Sequence, residues 1–325
     1  MRESSERLMT LLRGGRCDAA PLWEPWFGMG RMLHDAYGGS YLAMADDLGH
    51  AAVPLPGVDT DVMFLAPAER TAAGAYYGGG VLRDPAQLHA RPEPDYALQL
   101  PKLRATRRAA ADAGVACWVV IGWCFDRIAA SMGLEQFALD CYDRPESIAE
   151  AMEWVEQRNR HAIERLVAVV RPDFVLYNGD CAYRTGLMVE PAMLRRFTWE
   201  PTRRTAAMLH ALGIPLAFHS DGKLDDLIPM LVELGVTAVH GGEKQANDLA
   251  HLVDTFGRDI ALCGNMDVVF LQDASPAEVT EQTRQMLATG GRFGRFIAGC
   301  NTSPLDYIPR ANYVAMCRAI AAAAT

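Results

Sequence analysis

Short apolar runs alternate with helical patterns along this chain, and glycines mark the helix ends; together these predict an α/β protein folded as a (β/α)8 TIM barrel. The runs fall at 116–121, 174–177, 215–218, 237–239, 260–262 and 296–298. Each is too short for an ordinary helix and apolar enough for a strand buried on both faces. Gly213, Gly235 and Gly257 follow helical stretches at 191–212, 224–234 and 246–256, where a residue tolerant of positive φ ends a helix. A chain of 325 residues is long enough for one closed barrel. We therefore expect 1–325 to form a single barrel domain with its chemistry at the carboxyl ends of the later strands.

In chain order, 6–13 carries a short helical pattern that stops at Gly14-Gly15, and 21–27 reads as a first strand running into a loop. Periodicity then weakens. From about 28 to 110 we expect an elaborated N-terminal region, either a small appended subdomain or a long βα connection, punctuated by Gly78-Gly79-Gly80 and Pro92-Glu93-Pro94. Ser147 with Glu150 predicts a capping box ahead of a helix through Val169. Ser275-Pro276-Ala277-Glu278 combines a cap, a first-turn proline and a reciprocal acid. A doubly wound dinucleotide fold would alternate in the same way, but Gly28-Met29-Gly30 lacks the third glycine of its phosphate-binding turn.

Composition narrows the partners. With 40 acidic residues against 31 basic ones the formal net charge is −9, and the densest basic stretch, 102–108, reads as one helix face carrying Arg104, Arg107 and Arg108. A binder of nucleic-acid backbones would concentrate positive charge, so nucleic acid is not expected. The longest apolar run, 114–125, is too short for a membrane span and is broken by Asp126. Eight cysteines form no CxxC pair in a chain too long to need disulfide staples, which fits a reducing cytoplasm.

The chemistry-bearing residues cluster where the apolar runs stop. In Phe218-His219-Ser220-Asp221-Gly222, residues two apart in extended chain project to the same side, so His219 and Asp221 would converge on one ion or proton. Glu243 follows the next run and Cys300 a later one. Strand ends of a barrel surround one pocket, so His219, Asp221, Glu243 and Cys300 would form a tetrahedral zinc set in which one ligand exchanges. Neutral imidazole, two carboxylates and a thiolate leave zinc at a net charge of about −1, and zinc would hold an incoming thiol as thiolate. The same four residues also have ordinary structural readings, as a rim histidine, a turn former, a solvated acid and a small buried thiol.

A second patch runs from Tyr177 to Gly186, in which Asp180 would orient substrate or move a proton, with Tyr183 and Arg184 as further contacts; Asp180 and Arg184 would equally form a structural pair. Asn265 and Asp267 offer another pocket edge or a turn. Trp23, Glu24 and Trp26, with Trp123 and Phe125, would roof the pocket for a flat ligand or simply pack.

Taken together, Asn178-Gly179-Asp180, Phe218-His219-Ser220-Asp221-Gly222, Gly264-Asn265-Met266-Asp267, Gly299-Cys300 and Ser303-Pro304 resemble the uroporphyrinogen decarboxylase superfamily, closest in motif style to its corrinoid-dependent methyltransferase branch. The resemblance implies a (β/α)8 barrel. Tetrapyrrole decarboxylases of the superfamily carry an arginine-rich amino-terminal motif and a late Gly-His-Gly. Here the comparable stretches are Pro21-Leu22-Trp23-Glu24-Pro25-Trp26 and Gly299-Cys300-Asn301, in which their substrate-carboxylate anchors are not recognisable. Methyltransferase relatives bind zinc through His-x-Cys and a distal Cys. His219 and Cys300 match, Asp221 replaces the middle cysteine, and Glu243 matches an acidic zinc ligand of cobalamin-independent methionine synthase.

The function implied is zinc-dependent methyl transfer between a small methylated substrate, or a methyl-corrinoid presented by a partner protein, and a thiol or related acceptor. Asp180, His219, Asp221 and Cys300 would be catalytic, and Trp23, Glu24, Trp123, Tyr183, Arg184, Asn265 and Asp267 would bind substrate. Two other readings remain open: a metal-independent decarboxylase of an aromatic or heterocyclic acid, in which Arg184 and Asp180 manage substrate charge, and a non-catalytic docking scaffold for a corrinoid protein. A homodimer is a further candidate assembly.

Overall fold

A computed structural model describes residues 2–25, 30–56, 69–71, 74–76, 79–84, 86–92 and 100–324. Its strands are β1 (Ala52–Pro54), the hairpin β2 (Glu69–Thr71) and β3 (Gly74–Tyr76), β4 (Ala116–Gly122), β5 (Phe174–Asn178), the hairpin β6 (Ala182–Tyr183) and β7 (Gly186–Leu187), β8 (Leu216–Ser220), β9 (Ala238–Gly241), β10 (Ala261–Met266) and β11 (Phe296–Cys300). Seven of them form one parallel sheet in the order β1-β4-β5-β8-β9-β10-β11. Leu22 bridges in parallel to His50 on one side and Ala298 on the other. The Ala51 N–H donates to Leu22 O at 2.8 Å and the Trp23 N–H to Ala298 O at 3.0 Å. The chain at Leu22 is thus the eighth stave, and the sheet closes on itself as the alternation predicts.

Side-chain alternation divides the barrel wall. Trp23, Trp118 and Phe174 point inward and meet edge to face or stacked, with centroids 5.1 to 6.4 Å apart. Ala52, Ala116, Ala217, Ala238 and Ala261 share that interior, and their small size leaves the volume that the three large rings fill. The alternate positions, among them Val119, Val175, Phe218, Val239, Leu262 and Ala298, point outward against the helices. The long helices Pro145–Val169, Pro191–Ala211, Pro276–Gly290 and Arg310–Ala322 belong to that outer layer. Among the described residues no helix is long and apolar enough to cross a membrane.

Several boundaries differ from the sequence reading. The expected first strand is one bridging residue, because proline at 21 and 25 leaves little room for a ladder. The strand β1 lies inside the region where periodicity was too weak to assign one; three residues ending in Pro54 carry almost no pattern. The same region holds helices Gly30–Tyr37, Tyr41–Leu48, Ala86–His89 and Leu100–Ala113. Gly28 and Met29 of the rejected dinucleotide motif, Trp26, Gly78 and the stretch from Glu93 lie outside the described residues.

The expected Ser147 cap is displaced as well. The helix begins at Pro145, with Arg144 in the capping position and no side-chain cap bond, since proline at the first turn needs no N–H partner. The Ser275–Glu278 capping box forms as read. The expected helix 246–256 starts only at Leu249, capped by Asp248, whose carboxylate accepts the His251 N–H at 2.8 Å. The helix expected at 224–234 shortens to Ile228–Glu233.

Candidate metal and active site

The later strands run past their apolar residues into the polar ones. His219 pairs with His240, Ser220 with Gly241, Asn265 with Gly299 and Met266 with Cys300, so the chemistry-bearing residues are themselves part of the sheet. Ladder hydrogen bonding depends on the backbone and therefore continues where hydropathy stops. Alternation then assigns each side chain to a face. His219 follows Ala217 and His240 follows Ala238, so both rings point into the barrel mouth. Cys300 follows Ala298 and points outward.

Inside the mouth, Asp180 from the β5 end meets His219 and Asp221 from the β8 end, with ligand atoms all within 4.8 Å of one another. His219 Nε2 is 3.6 Å from Asp180 Oδ1 and 3.6 Å from Asp221 Oδ1. Asp180 Oδ1 also accepts the Asp221 N–H at 3.0 Å, which ties the two strand ends together. Asp221 Oδ1 is buried and accepts no hydrogen bond among the described residues. Glu243 stands beside this group and its Oε2 accepts the Gly222 N–H at 2.8 Å. Gly222 makes that turn with φ of 83°, and a Cβ there would lie 2.4 Å from Ala182 O, so no other residue fits.

The electrostatics follow from burial. His219 is pushed down to about 3 by loss of solvent, and His240 is lowered by burial and by its neighbour His219. Asp221 is raised to about 7, first by burial and then by the charges of Asp180 and Glu243, against a smaller opposing contribution from the Thr302 hydroxyl. Burial also raises Asp180, offset by its bond from the Asp221 amide and by the Arg127 guanidinium. Arg127 is buried at the end of β4, paired with Asp126, and its Nε occupies the place a Cβ on Gly122 would take. Two acids and an imidazole that all resist charging on their own form a site suited to a cation.

The quartet expected from sequence is therefore not the set the barrel gathers. Cys300 lies on the other face of β11, where Glu24 accepts the Cys300 N–H at 2.9 Å and bonds with its thiol, and where Cys317 and Tyr313 pack. Burial, with Glu24 and Cys317 beside it, drives the Cys300 thiol well above its ordinary range. Asp180, expected to be catalytic by orienting substrate or moving a proton but not as a metal ligand, takes the third position in the group. Its expected partner Arg184 is exposed on the β6–β7 hairpin together with Tyr183, which is 51% exposed.

The expected pocket roof is also displaced. Trp23 is fully buried in the barrel interior, and Trp123 is fully buried with its Nε1–H donating to Thr202 Oγ1 at 2.9 Å. Phe125 packs against Trp123. Glu24 is buried outside the wall rather than at the mouth, and its carboxyl is raised to about 8 by burial. Asn265 donates to Gly242 O at 3.0 Å. Asp267 caps the helix Val268–Asp273 through the Val269 N–H and accepts from Gln245 at 2.9 Å. Both residues line a cavity of about 530 Å³ with Gln245, Asn247, Gln282 and Gln285, which Asp180, His219 and Asp221 do not line.

Two residues at the mouth were missed in sequence. His240 directly follows the apolar run 237–239, but the sequence does not say that it shares the inward face of Ala238, while Arg127 sits in a helical stretch, Cys124–Met132, where nothing marks it as facing the mouth.

Comparison with known proteins agrees with the fold. The family model described as uroporphyrinogen decarboxylase (URO-D) matches residues 81–322. No curated protein matches. A solved methyltransferase from Methanosarcina mazei is similar over 98% of this chain and 98% of its own, with a TM-score of 0.76 at 16% identity. A B12-independent methionine synthase from Shewanella sp. W3-18-1, solved with selenomethionine, is similar over 95% of this chain and 92% of its own, with a TM-score of 0.55 at 15% identity.

Proposed function

This chain belongs to the uroporphyrinogen decarboxylase family, and we propose that its own reaction is metal-assisted methyl transfer at the mouth of the barrel. The donor would be a small methylated substrate or a methyl-corrinoid presented by a partner protein, and the acceptor a thiol or related nucleophile. The observation that carries the reading is the convergence of Asp180, His219 and Asp221, with a buried Asp221 oxygen left without a hydrogen bond. A buried carboxylate oxygen in that condition costs free energy unless a proton or a cation satisfies it.

These three residues fit zinc, with Glu243 adjacent as a further oxygen donor. One neutral imidazole and two carboxylates leave a divalent ion with about zero net charge, one unit less negative than the quartet read from sequence. A bound divalent ion supplies Lewis acidity, which lowers the pKa of an incoming thiol or polarises the group that leaves. The protein's own groups do the rest. The Asp221 amide holds Asp180 in place, the Gly222 amide holds Glu243, and the Arg127 guanidinium opposes part of the rise that burial imposes on Asp180. The titration of Asp221 near 7 makes it the group that takes up or releases a proton when no ion is bound. Structural similarity to a methyltransferase and a methionine synthase supports a barrel of this kind as the scaffold, and their activities enter here as part of the proposal.

The test is elemental analysis of protein purified without added metal, alongside Asp180→Ala, His219→Ala, Asp221→Ala and Cys300→Ala. Near-stoichiometric zinc is expected in the parent protein and in Cys300→Ala, and its loss in the other three. Zinc retained by His219→Ala, or methyl transfer by a metal-free parent, would overturn the metal assignment. Release of carbon dioxide from an aromatic acid without metal would favour the decarboxylase instead.

A further inference from the structure

We infer that His240 is a positioning residue that fixes the protonation pattern of His219, so that Nε2 of His219 faces Asp180 and Asp221 as a bare lone pair. The inference rests on the metal reading above for its consequence, though its premise concerns hydrogen positions alone. His240 Nε2 lies 3.1 Å from the carbonyl oxygen of Cys300. A carbonyl only accepts, so this nitrogen carries a hydrogen. His240 Nδ1 lies 2.8 Å from His219 Nδ1, and one hydrogen must sit between them.

That hydrogen belongs to His219. Were it on His240, the ring would be doubly protonated, a cation in a fully buried position whose ring lies 6.3 Å from that of Trp23. His219 Nδ1–H therefore donates, and His240 Nδ1 accepts. The other nitrogen of His219 lies 3.6 Å from each carboxylate, too far for a hydrogen bond to either. A neutral ring with its hydrogen on Nδ1 has none left for Nε2, so the lone pair of that nitrogen faces the two carboxyl groups.

Cys300 acquires a new role in this arrangement. Its backbone is held at both ends, the N–H by Glu24 at 2.9 Å and the carbonyl by His240 at 3.1 Å. The distal cysteine matters to the site through its peptide rather than its sulfur. A ligating histidine oriented by a second hydrogen bond gains basicity and a fixed ring plane, and loss of such a partner weakens metal binding by about 10- to 100-fold.

Two measurements test the inference separately from the metal reading. The first is nitrogen-15 NMR of the histidine rings in metal-free protein, with His219 assigned by His219→Gln. The expected signal is His219 protonated at Nδ1 and bare at Nε2, and a proton on Nε2 would overturn the proposal.

The second is cobalt(II) titration, read by its visible absorption, of the parent, His240→Phe and His240→Asn, each checked for folding by near-ultraviolet circular dichroism. Phenylalanine removes the acceptor, whereas asparagine offers Oδ1 near the place of Nδ1. Affinity should drop about 10- to 100-fold in the first variant and recover in the second. Parent-like affinity in folded His240→Phe would overturn the proposal. If the parent binds cobalt no better than Asp180→Ala, the metal reading fails, and the NMR result alone decides the role of His240.

Discussion

The barrel wall separates two buried carboxyl sites of opposite design, one in the mouth at the ends of β5 and β8 and one outside β11. On the inner side, Asp221 shares the mouth with Asp180, His219 and Glu243, half-buried and open to ligands, and its raised titration owes part of its size to like charges. On the outer side, Glu24 is sealed against Cys300, Tyr313 and Cys317, and its raised titration comes from burial alone, lowered by the hydrogen bonds it accepts. Like-charge crowding is relieved by a cation, whereas sealing is relieved by keeping the proton. The inner group is thus built to bind and the outer to hold the wall together, and the Cys300 peptide links them, bonding to Glu24 outside and to His240 inside.

The sharpest way to break this contrast is to remove the inner acid. Asp221→Ala should lower methyl transfer by about 10²- to 10⁴-fold, the range for a group acting on the reacting centre, while leaving thermal stability near that of the parent or slightly higher. Steady-state kinetics and a melting curve check both halves. A large loss of stability with modest loss of rate would make Asp221 a structural residue and erase the distinction.

Next in size is the pH dependence of the outer site. Glu24 holds its proton to about 8 in the fold but releases it near 4.5 when exposed. Between those values the unfolded chain is ionised there and the native one is not, so the native state binds more protons and stability falls as pH rises. The contribution is fully present below about 4.5 and lost by about 8. Asp221 slopes the same way over a lower window, from 3.8 to about 7. Urea denaturation at pH 5 and 8 should show Glu24→Gln losing less stability over that interval than the parent. An unchanged slope would mean that Glu24 is ionised in the fold.

What was legible in the sequence follows the same wall. The alternation of apolar runs and helices announced the barrel, because strands buried on both faces need no polar alternation and stand out as runs. The β1 strand and the Leu22 stave were hidden because closure needs only a few ladder bonds, made here by residues flanked with proline. At the site, His219 and Asp221 were readable because spacing within one strand is a local property. Asp180 is legible as a catalytic acid but not as a metal ligand, since its place beside His219 depends on the pairing of β5 with β8. The error at Cys300 was of another kind. Its motif position matched, but counting back from Cys300 through Ala298 to Phe296 gives the outward series of its strand, whereas His219 falls with the inward Ala217. Face assignment needs a known inward residue on each strand, and those were fixed only once the aromatic interior was seen.

The smallest expected effect is the most direct test of that face assignment. Cys300→Ala removes a sulfur packed against Glu24 and Cys317 but keeps the peptide whose N–H and carbonyl bind Glu24 and His240. The cost should be about 1 kcal/mol of stability, that of a small buried group lost from a packed wall. Metal content and methyl transfer should stay within about two-fold of the parent, because a residue that holds His240 through its backbone carbonyl survives truncation of its side chain. Chemical denaturation and metal analysis on the same preparation measure both. Zinc lost from Cys300→Ala while the fold persists would bring the thiol back into the mouth and merge the inner and outer groups into one site.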